Sequence, residues 1–521
     1  MQDVQIVLAL IVVATVIATF AQRLRVPPPS LLVVAGIVVG LLPWVPAVQV
    51  TPEVINLVVL PPLLFAAGEE LSWRDLRRVW RPVLVLAVGL VLASAGAVGA
   101  VAMLVTPLPL SMAFLLGAVL ASTDPVAVTA LGRRLALPPR MQALVQAESL
   151  FNDATSLILF RIAVLAAVAG GSLSAGGVAG QFAVLAGGGV LAGVLVAAVI
   201  GFIRSRTEDP VLETVTTMVT PFGAYVLAES VHASGVTAVV VAGVILGILA
   251  PRLSAPVTRL QVVAVQGTVV FVLESVVFGL IGLALPDLVR RLSVEGQSWL
   301  PAALAITATL LVARIAWVFP LAALRHWRHG SGGSWSAAWR VPAVLSWAGA
   351  RGVVPLAAAL SIPLVDDAGA PVPFRDLVQV LAAAVIVISL VVQGFTLAPL
   401  VRWTGLAIAP EDERAELTRV RVRLAEAGID HVETQLELEA VAPVVAERVQ
   451  RSLQTRLDLA RETSSPAGTL DADYRQLRRA VVLVQRAELE RLHSAGEASE
   501  STRRRLERHL DLEDARYGEE V

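Results

Sequence analysis

The chain has 521 residues, 56% hydrophobic and only 16% charged, with a formal net charge of −1 and no cysteine; its mean hydropathy is +0.75. This excludes a soluble globular protein, a basic nucleic-acid binder, and disulfide, thiolate-metal or cysteine-nucleophile chemistry, and it predicts an all-α polytopic membrane protein. The apolar excess fills residues 1–403, whereas acidic residues concentrate after residue 410.

The N-terminal stretch Met1–Leu10 has neither the positive n-region nor the small-residue cleavage site of a signal peptide, so it reads as a first span. A span takes about 20 apolar residues. Thirteen fit, near 4–21, 30–47, 53–69, 82–106, 109–131, 141–168, 179–203, 211–231, 235–250, 261–285, 300–324, 339–362 and 376–402. Every basic side chain other than histidine is arginine, and the arginines test the count. They follow the odd-numbered spans: Arg23 and Arg25; Arg74, Arg77, Arg78 and Arg81; Arg133, Arg134 and Arg140; Arg204 and Arg206; Arg252 and Arg259; Arg325 and Arg328; Arg402. Loops after even spans are poor in arginine, with Arg290, Arg291 and Arg375 as exceptions. The positive-inside rule then places the N-terminus outside and residues 403–521 in the cytoplasm. His232, the one histidine deep in this region, reads as a helix-end residue.

Span five contains Thr123-Asp124-Pro125, where the proline breaks the helix near Asp124. Span twelve carries Gly349, Arg351, Gly352 and Pro355. Two interrupted spans an odd number apart run in opposite directions. This predicts inverted repeats, about 1–168 and 211–402, with 179–203 as the link. Where two broken helices cross, N-terminal half-helix ends are partly positive and C-terminal ends partly negative. Asp124 balances the first and Arg351 the second. Two ordinary proline kinks are the plainer alternative, but kinks seldom come with paired opposite charges.

An ionisable group at mid-membrane costs at least about 2.5–3.5 kcal/mol. Glu148 and Arg314, opposite in sign and both inside spans, are expected to form a structural ion pair, with Glu274 in the same network. Arg161, two turns beyond Asp153, is expected to be structural or snorkelling. Asp153 is then left without a cationic partner, one turn beyond Ser149 and next to Asn152. Such a carboxylate holds a proton until a hard monovalent cation replaces it, with Thr123 and its carbonyl, Asp124, Ser149 and Asn152 as oxygen ligands. The plainer alternative is an aspartic acid hydrogen-bonded within the bundle.

The pieces Leu60–Phe65 (LPPLLF), Ser122–Val128 (STDPVAV), Glu148–Ala154 (ESLFNDA), Arg314 in ARIAWVF, and Ala350–Ala357 (ARGVVPLA) occur in an order that resembles the bacterial sodium/proton antiporters of the monovalent cation–proton antiporter superfamily, in the branch that includes the animal sodium/proton exchangers. The resemblance covers the membrane part. It implies a thirteen-span inverted-repeat fold with two crossed discontinuous helices, a dimerisation domain, a mobile core domain and homodimers. It also implies exchange of Na⁺, or Li⁺ or K⁺, for H⁺ in sodium and pH homeostasis, without a cofactor. It makes Asp153 the ion- and proton-binding carboxylate and Asn152 its helix partner. Thr123 and Asp124 belong to the unwound crossing, Glu148 and Arg314 form a buried salt bridge, and Arg351 sits in the second broken helix. The Asn-Asp pair and the absence of lysine match the electroneutral branch. One departure stands out. Many members have a glutamate where this chain has Ala66, and Glu69 and Glu70 are its nearest substitutes.

Residues 404–521 form a separate helical cytoplasmic region, with 24 acidic and 18 basic residues from 411 onward and a break at 458–474. It carries no ligand motif, so any regulatory partner is unspecified. Two other functions compete for the first 403 residues. An intramembrane aspartic protease needs a Gly-x-Gly-Asp setting that neither Asp124 nor Asp153 has, whereas a cation channel stays open as the alternative, the sequence lacking only the Thr-Val-Gly-Tyr-Gly filter of the potassium type.

Overall fold

Proline and glycine set most helix boundaries in the computed structural model. It describes chiefly residues 28–42, 52–124, 137–168, 175–294, 299–328, 339–407, 410–438, 441–462 and 469–495. The expected first span lies almost wholly outside the described residues, as do residues 125–136, the second half of expected span five. Among the described residues the membrane region is helical apart from one isolated bridge between Val365 and Pro371.

The helices in chain order are α1 (Pro28–Gly40), α2 (52–69), α3 (Trp73–Val105), α4 (Leu110–Ala121), α5 (Pro139–Val168), α6 (Ala175–Arg204), α7 (Pro210–Ser230) and α8 (Gly235–Leu253). They continue as α9 (Pro256–Val294), α10 (Trp299–Arg328), α11 (Arg340–Trp347), α12 (Val353–Leu360) and α13 (Arg375–Thr404). Eight of them, α3, α5 to α10 and α13, are long and apolar enough to cross a membrane. Pro61 and Pro62 lack N–H groups, and the turn before them widens into a π-helix over Ile55–Val59. The residues expected as a loop before span four are helical instead. Ser72 caps this extension by accepting from the Asp75 amide, so α3 carries its arginines on helix beyond the apolar stretch.

Two bundles emerge from the packing. One contains α3, α4, α5, α10, α11, α12 and α13; the other contains α1, α2, α6, α7, α8 and α9. Broken span twelve, α11 and α12, and the truncated α4 belong to the first. In the second, small residues bring helices into backbone contact, as expected where lipid supplies no hydrophobic drive between helices. A Cβ on Gly282 of α9 would lie 2.6 Å from the Val33 carbonyl oxygen and 2.8 Å from Gly36 Cα of α1.

Residues 408–521 form a second compact unit. Within it α14 (Pro410–Glu437) packs on α15 (Pro443–Glu462), with Leu453 against Gly428 and Arg461 paired to Glu426 at 3.0 Å, and α16 (Thr469–Ser494) follows.

Gly282→Val forces α1 and α9 apart. Overpacking of this kind costs about 1–3 kcal/mol, so the apparent melting temperature in detergent is expected to fall by several degrees. Gly96→Ala, at a position with open space beside it, is expected to leave it unchanged.

Candidate functional site

The chain leaves helical geometry at Ser122, so α4 ends in mid-bundle and Ser122–Asp124 run extended. The break between α11 and α12 lies against this stretch. The Asp124 amide donates to the Ala350 carbonyl at 2.7 Å, and Asp124 Oδ2 accepts from the Val353 amide at 3.2 Å. A carboxylate thus sits on the N-terminal end of α12. Arg351 Nη1 donates to the Ser122 carbonyl, which places a cation on the C-terminal end of α4. The Arg351 amide is held by the Ser389 hydroxyl at 3.0 Å, and Ser389 donates to Gln393. Gly352 is required here, because a Cβ would fall 1.4 Å from Asp124 Oδ2.

A third half-helix end is capped by Arg314. Its Nε and Nη2 donate to the Leu345 carbonyl in the last turn of α11, at 3.2 and 3.1 Å, while Nη1 meets Glu148 Oε1 at 2.6 Å. Both side chains are almost fully buried. Gly349 leaves the room for this guanidinium, since a Cβ there would meet Arg314 Nε at 2.5 Å. Glu274 is not part of this pair. It lines the cavity described below, facing Asp124 and Glu70, and makes no ion pair among the described residues. Its own helix, α9, belongs to the other bundle, which keeps it from Arg314.

Asp153 and Ser149 occupy one face of α5, opposite the extended stretch. The Ser149 hydroxyl donates to the Thr123 carbonyl at 2.6 Å. Asn152 uses both ends of its amide on Thr123: Nδ2 donates to Thr123 Oγ1 at 2.6 Å, and Oδ1 accepts from the Thr123 amide at 3.3 Å. Asn152 therefore clamps the unwound strand and is not among the cavity-lining residues, in contrast to the direct ligand role expected of it. Asp153 is 7% exposed, and its Oδ1 accepts no hydrogen bond among the described residues. The nearby Arg351 guanidinium is committed to Ser122.

A cavity of about 640 Å³ separates the two bundles on one side. From the first bundle it is lined by Thr123, Asp124, Ser149, Asp153 and Val353–Pro355; from the second by the C-terminal part of α2 with Glu70 and Leu71 just after it, and by α6, α8 and α9. Thr123, Asp124, Ser149 and Asp153 thus offer hydroxyl, carbonyl and carboxylate oxygens to one space, a donor set suited to a hard monovalent cation and to a proton. Ala66, Glu69, Glu70 and Glu274 line the same cavity.

Beside the cavity lies a buried charge cluster that single charges at helix ends did not reveal. Arg204 pairs with Glu213 at 3.0 Å and with Glu69 at 3.7 Å, and donates to Ser254 at 2.9 Å. Ser254 donates to Glu213, and Gln266 donates to Glu69 Oε2 at 3.0 Å. Glu69 is therefore engaged in this cluster. Arg161 does not snorkel: it pairs with Glu229 at 2.6 Å and donates to the Ala233 carbonyl at 2.9 Å.

The family model described as "Sodium/hydrogen exchanger, transmembrane" matches residues 8–403. The chain belongs to this sodium/hydrogen exchanger family. It is 33% identical to an uncharacterised Na(+)/H(+) exchanger of Mycobacterium tuberculosis over 98% of this chain and 95% of that one. It is 32% identical to the sodium, potassium, lithium and rubidium/H(+) antiporter of Bacillus pumilus, over 76% of this chain and 60% of the relative. In fold it resembles the sodium proton antiporter MjNhaP1 of Methanocaldococcus jannaschii, with a TM-score of 0.64 at 21% identity, covering 77% of this chain and 98% of that one. The two thus share the antiporter fold.

Removing one partner of a buried ion pair typically costs about 3–5 kcal/mol. Glu148→Ala and Arg314→Ala are each expected to lower thermal stability in detergent. Arg314→Ala should be the worse, because it also uncaps Leu345. The double variant is expected to lose less than the sum; strictly additive losses would show that the two do not interact.

Proposed function

We propose that this protein exchanges a monovalent cation, Na⁺ first, for H⁺ across the cell membrane by alternating access, with Asp153 as the single carrier carboxylate. The observation that carries the reading is an ion-pair-free, buried Asp153 facing oxygen ligands at the floor of a cavity beside two interrupted helices. Proton and cation compete for the same oxygens, so the site holds one or the other. Thr123, Asp124 and Ser149 complete the cation shell, and Asn152 holds Thr123 in place for it. Family membership supports exchange. The positive-inside rule supports an outside N-terminus and a cavity on the cytoplasmic side, because Arg204 and Arg259, which line it, belong to the arginine-rich helix ends. The protein works as a homodimer, in keeping with the resemblance.

Selectivity among Na⁺, Li⁺ and K⁺ rests on ligand number and cavity size. Ala66 removes a carboxylate that many relatives carry, which favours a broader cation range, as the name of the Bacillus relative suggests for that protein. Swelling of the rate across a cation series, read by a pH-sensitive dye in proteoliposomes, decides the range.

Asp153→Asn keeps the side-chain shape but can neither release a proton nor balance a cation. It is expected to abolish exchange in proteoliposomes while the protein stays folded and monodisperse. Robust exchange by that variant removes Asp153 from the mechanism. Raising the proton concentration fills the site with H⁺, so the apparent KM for the cation is expected to increase as pH falls.

Exchange is expected to be electroneutral. Asp124 serves the α12 end and Glu148 serves Arg314, so one carboxylate cycles between a protonated and a cation-neutralised form of equal charge. A membrane potential then has no net charge to act on. With the potential clamped by valinomycin and potassium and sodium as substrate, rate and end-point should be independent of voltage. Voltage dependence would bring in a second titrating group, with Glu274, Glu69 and Glu70 as suspects.

A further inference from the structure

The Arg161–Glu229 pair lies in neither the exchange site nor the Arg204 cluster. Arg161 belongs to α5, the helix of Asp153, and is two turns further along it, about 12 Å away at 1.5 Å per residue. Glu229 is in the last turn of α7, in the opposite bundle. Their contact at 2.6 Å is therefore a charged tie between the two bundles. It stands on the side of Asp153 away from the cavity. The α7 chain starts beside Arg204 and runs to the opposite face before Glu229, and the cavity lining contains no residue of α5 beyond Asp153.

The receiving side of the tie is rigidly built. Glu229 Oε1 also accepts from the Gly235 amide at 3.1 Å, so the carboxylate pins the turn between α7 and α8. His232 takes a left-handed conformation in that turn, with φ 58°. The Ala233 carbonyl that receives Arg161 is in the same turn, and the Ser234 amide bonds the Leu185 carbonyl of α6 at 3.1 Å. Arg161 thus docks on a prebuilt socket of one carboxylate and one carbonyl. Both charged side chains remain about one-third exposed, at 31% and 33%. Water can solvate them once they part, unlike the fully buried Glu148–Arg314 pair, whose separation would strand two charges.

We infer that Arg161–Glu229 is the outer latch of the transport cycle: it holds the two bundles together on the face opposite the cavity and opens when access to Asp153 changes sides. The inference rests on the alternating-access reading. Because α5 carries both the latch arginine and the carrier aspartate, opening the latch and re-exposing Asp153 are movements of one rigid element. A purely structural tie would stay closed throughout the cycle.

The absence of cysteine in the chain makes a clean test. Leu157, buried, lies one helical turn from Asp153 and one from Arg161 on the same face of α5. Leu157→Cys, placed in cells or right-side-out vesicles, is treated with a membrane-impermeant maleimide from the outer face. With the latch intact, labelling is expected to be slow. Adding Glu229→Gln, and separately Arg161→Gln, should raise the outside labelling rate by roughly threefold or more, as the population shifts toward the outward-open form. The charge swap Arg161→Glu with Glu229→Arg should bring it back down. Unchanged labelling in the single variants, or a swap that labels as fast as they do, overturns the latch. Size-exclusion profiles of each variant separate opening from misfolding, and a folded protein with unchanged labelling counts against the latch. Labelling needs no transported ion. A parent protein that fails to exchange Na⁺ for H⁺ therefore refutes the exchange reading without deciding the latch.

Discussion

An interrupted helix inside a bilayer leaves amide and carbonyl groups that neither lipid nor the helix can satisfy, and the rest of this membrane region is organised around satisfying them. Three such ends meet among the described residues, and each receives a side chain of the complementary charge. Asp124 takes the α12 amide end, Arg351 the α4 carbonyl end, and Arg314 the α11 carbonyl end. A favourable charge–terminus contact is worth at most about 2 kcal/mol where it is partly buried. That gain alone does not offset burying a charge. The charges are tolerated because they also balance each other: Glu148 neutralises Arg314, and Asp124 and Arg351 lie across the same crossing.

This closure is what leaves Asp153 without an ion pair among the described residues. A carboxylate buried among competing arginines would be neutralised permanently and would bind nothing. Here both neighbouring guanidinium groups are occupied, Arg351 by the Ser122 carbonyl and Arg314 by Glu148 and Leu345. Ser149 and Asn152 then fix the Thr123 backbone on the aspartate's side of the crossing, so the oxygens of the proposed site are held by the protein itself. Pre-organised ligands reduce the ordering cost of binding.

Much of this architecture was legible in the sequence because breakers and intramembrane charges are rare enough to be informative. Asp124-Pro125 and the Gly349, Gly352, Pro355 group located both interruptions, and opposite signs inside spans paired Glu148 with Arg314. The structure ends α4 already at Ala121, three residues before Asp124, because the Ser122–Asp124 stretch is held extended by its partners rather than by the proline alone. Partners far apart in the chain were not legible. Arg204, Glu213 and Glu69 sit at helix ends, where a lone charge looks like an interfacial residue, and only the packing of α2, α6 and α7 brings them together. For the same reason Asn152 read as a ligand. Asp153, next to it in sequence, lines the cavity, but one position of rotation about the helix turns the Asn152 amide onto Thr123 instead.

Packing within the bundles is closer than packing between them, and that difference bears on how they can move relative to each other. Within the second bundle, α1 and α9 touch backbone to backbone at Gly36 and Gly282, and α6 and α8 pack the same way where a Cβ on Gly193 would lie 2.6 Å from the Ala238 carbonyl. Interfaces that close are rigid, since separation loses many contacts at once and lipid offers no compensating hydrogen bonds. Between the bundles, by contrast, helix packing is thinner; a cavity bordered by charged and polar groups lies on one side and the one-third-exposed Arg161–Glu229 pair on the other. The natural plane of relative motion is therefore the one that contains Asp153. The capped crossing does not span this boundary, because its donors and acceptors all belong to one bundle, so relative movement of the bundles as proposed above leaves it intact.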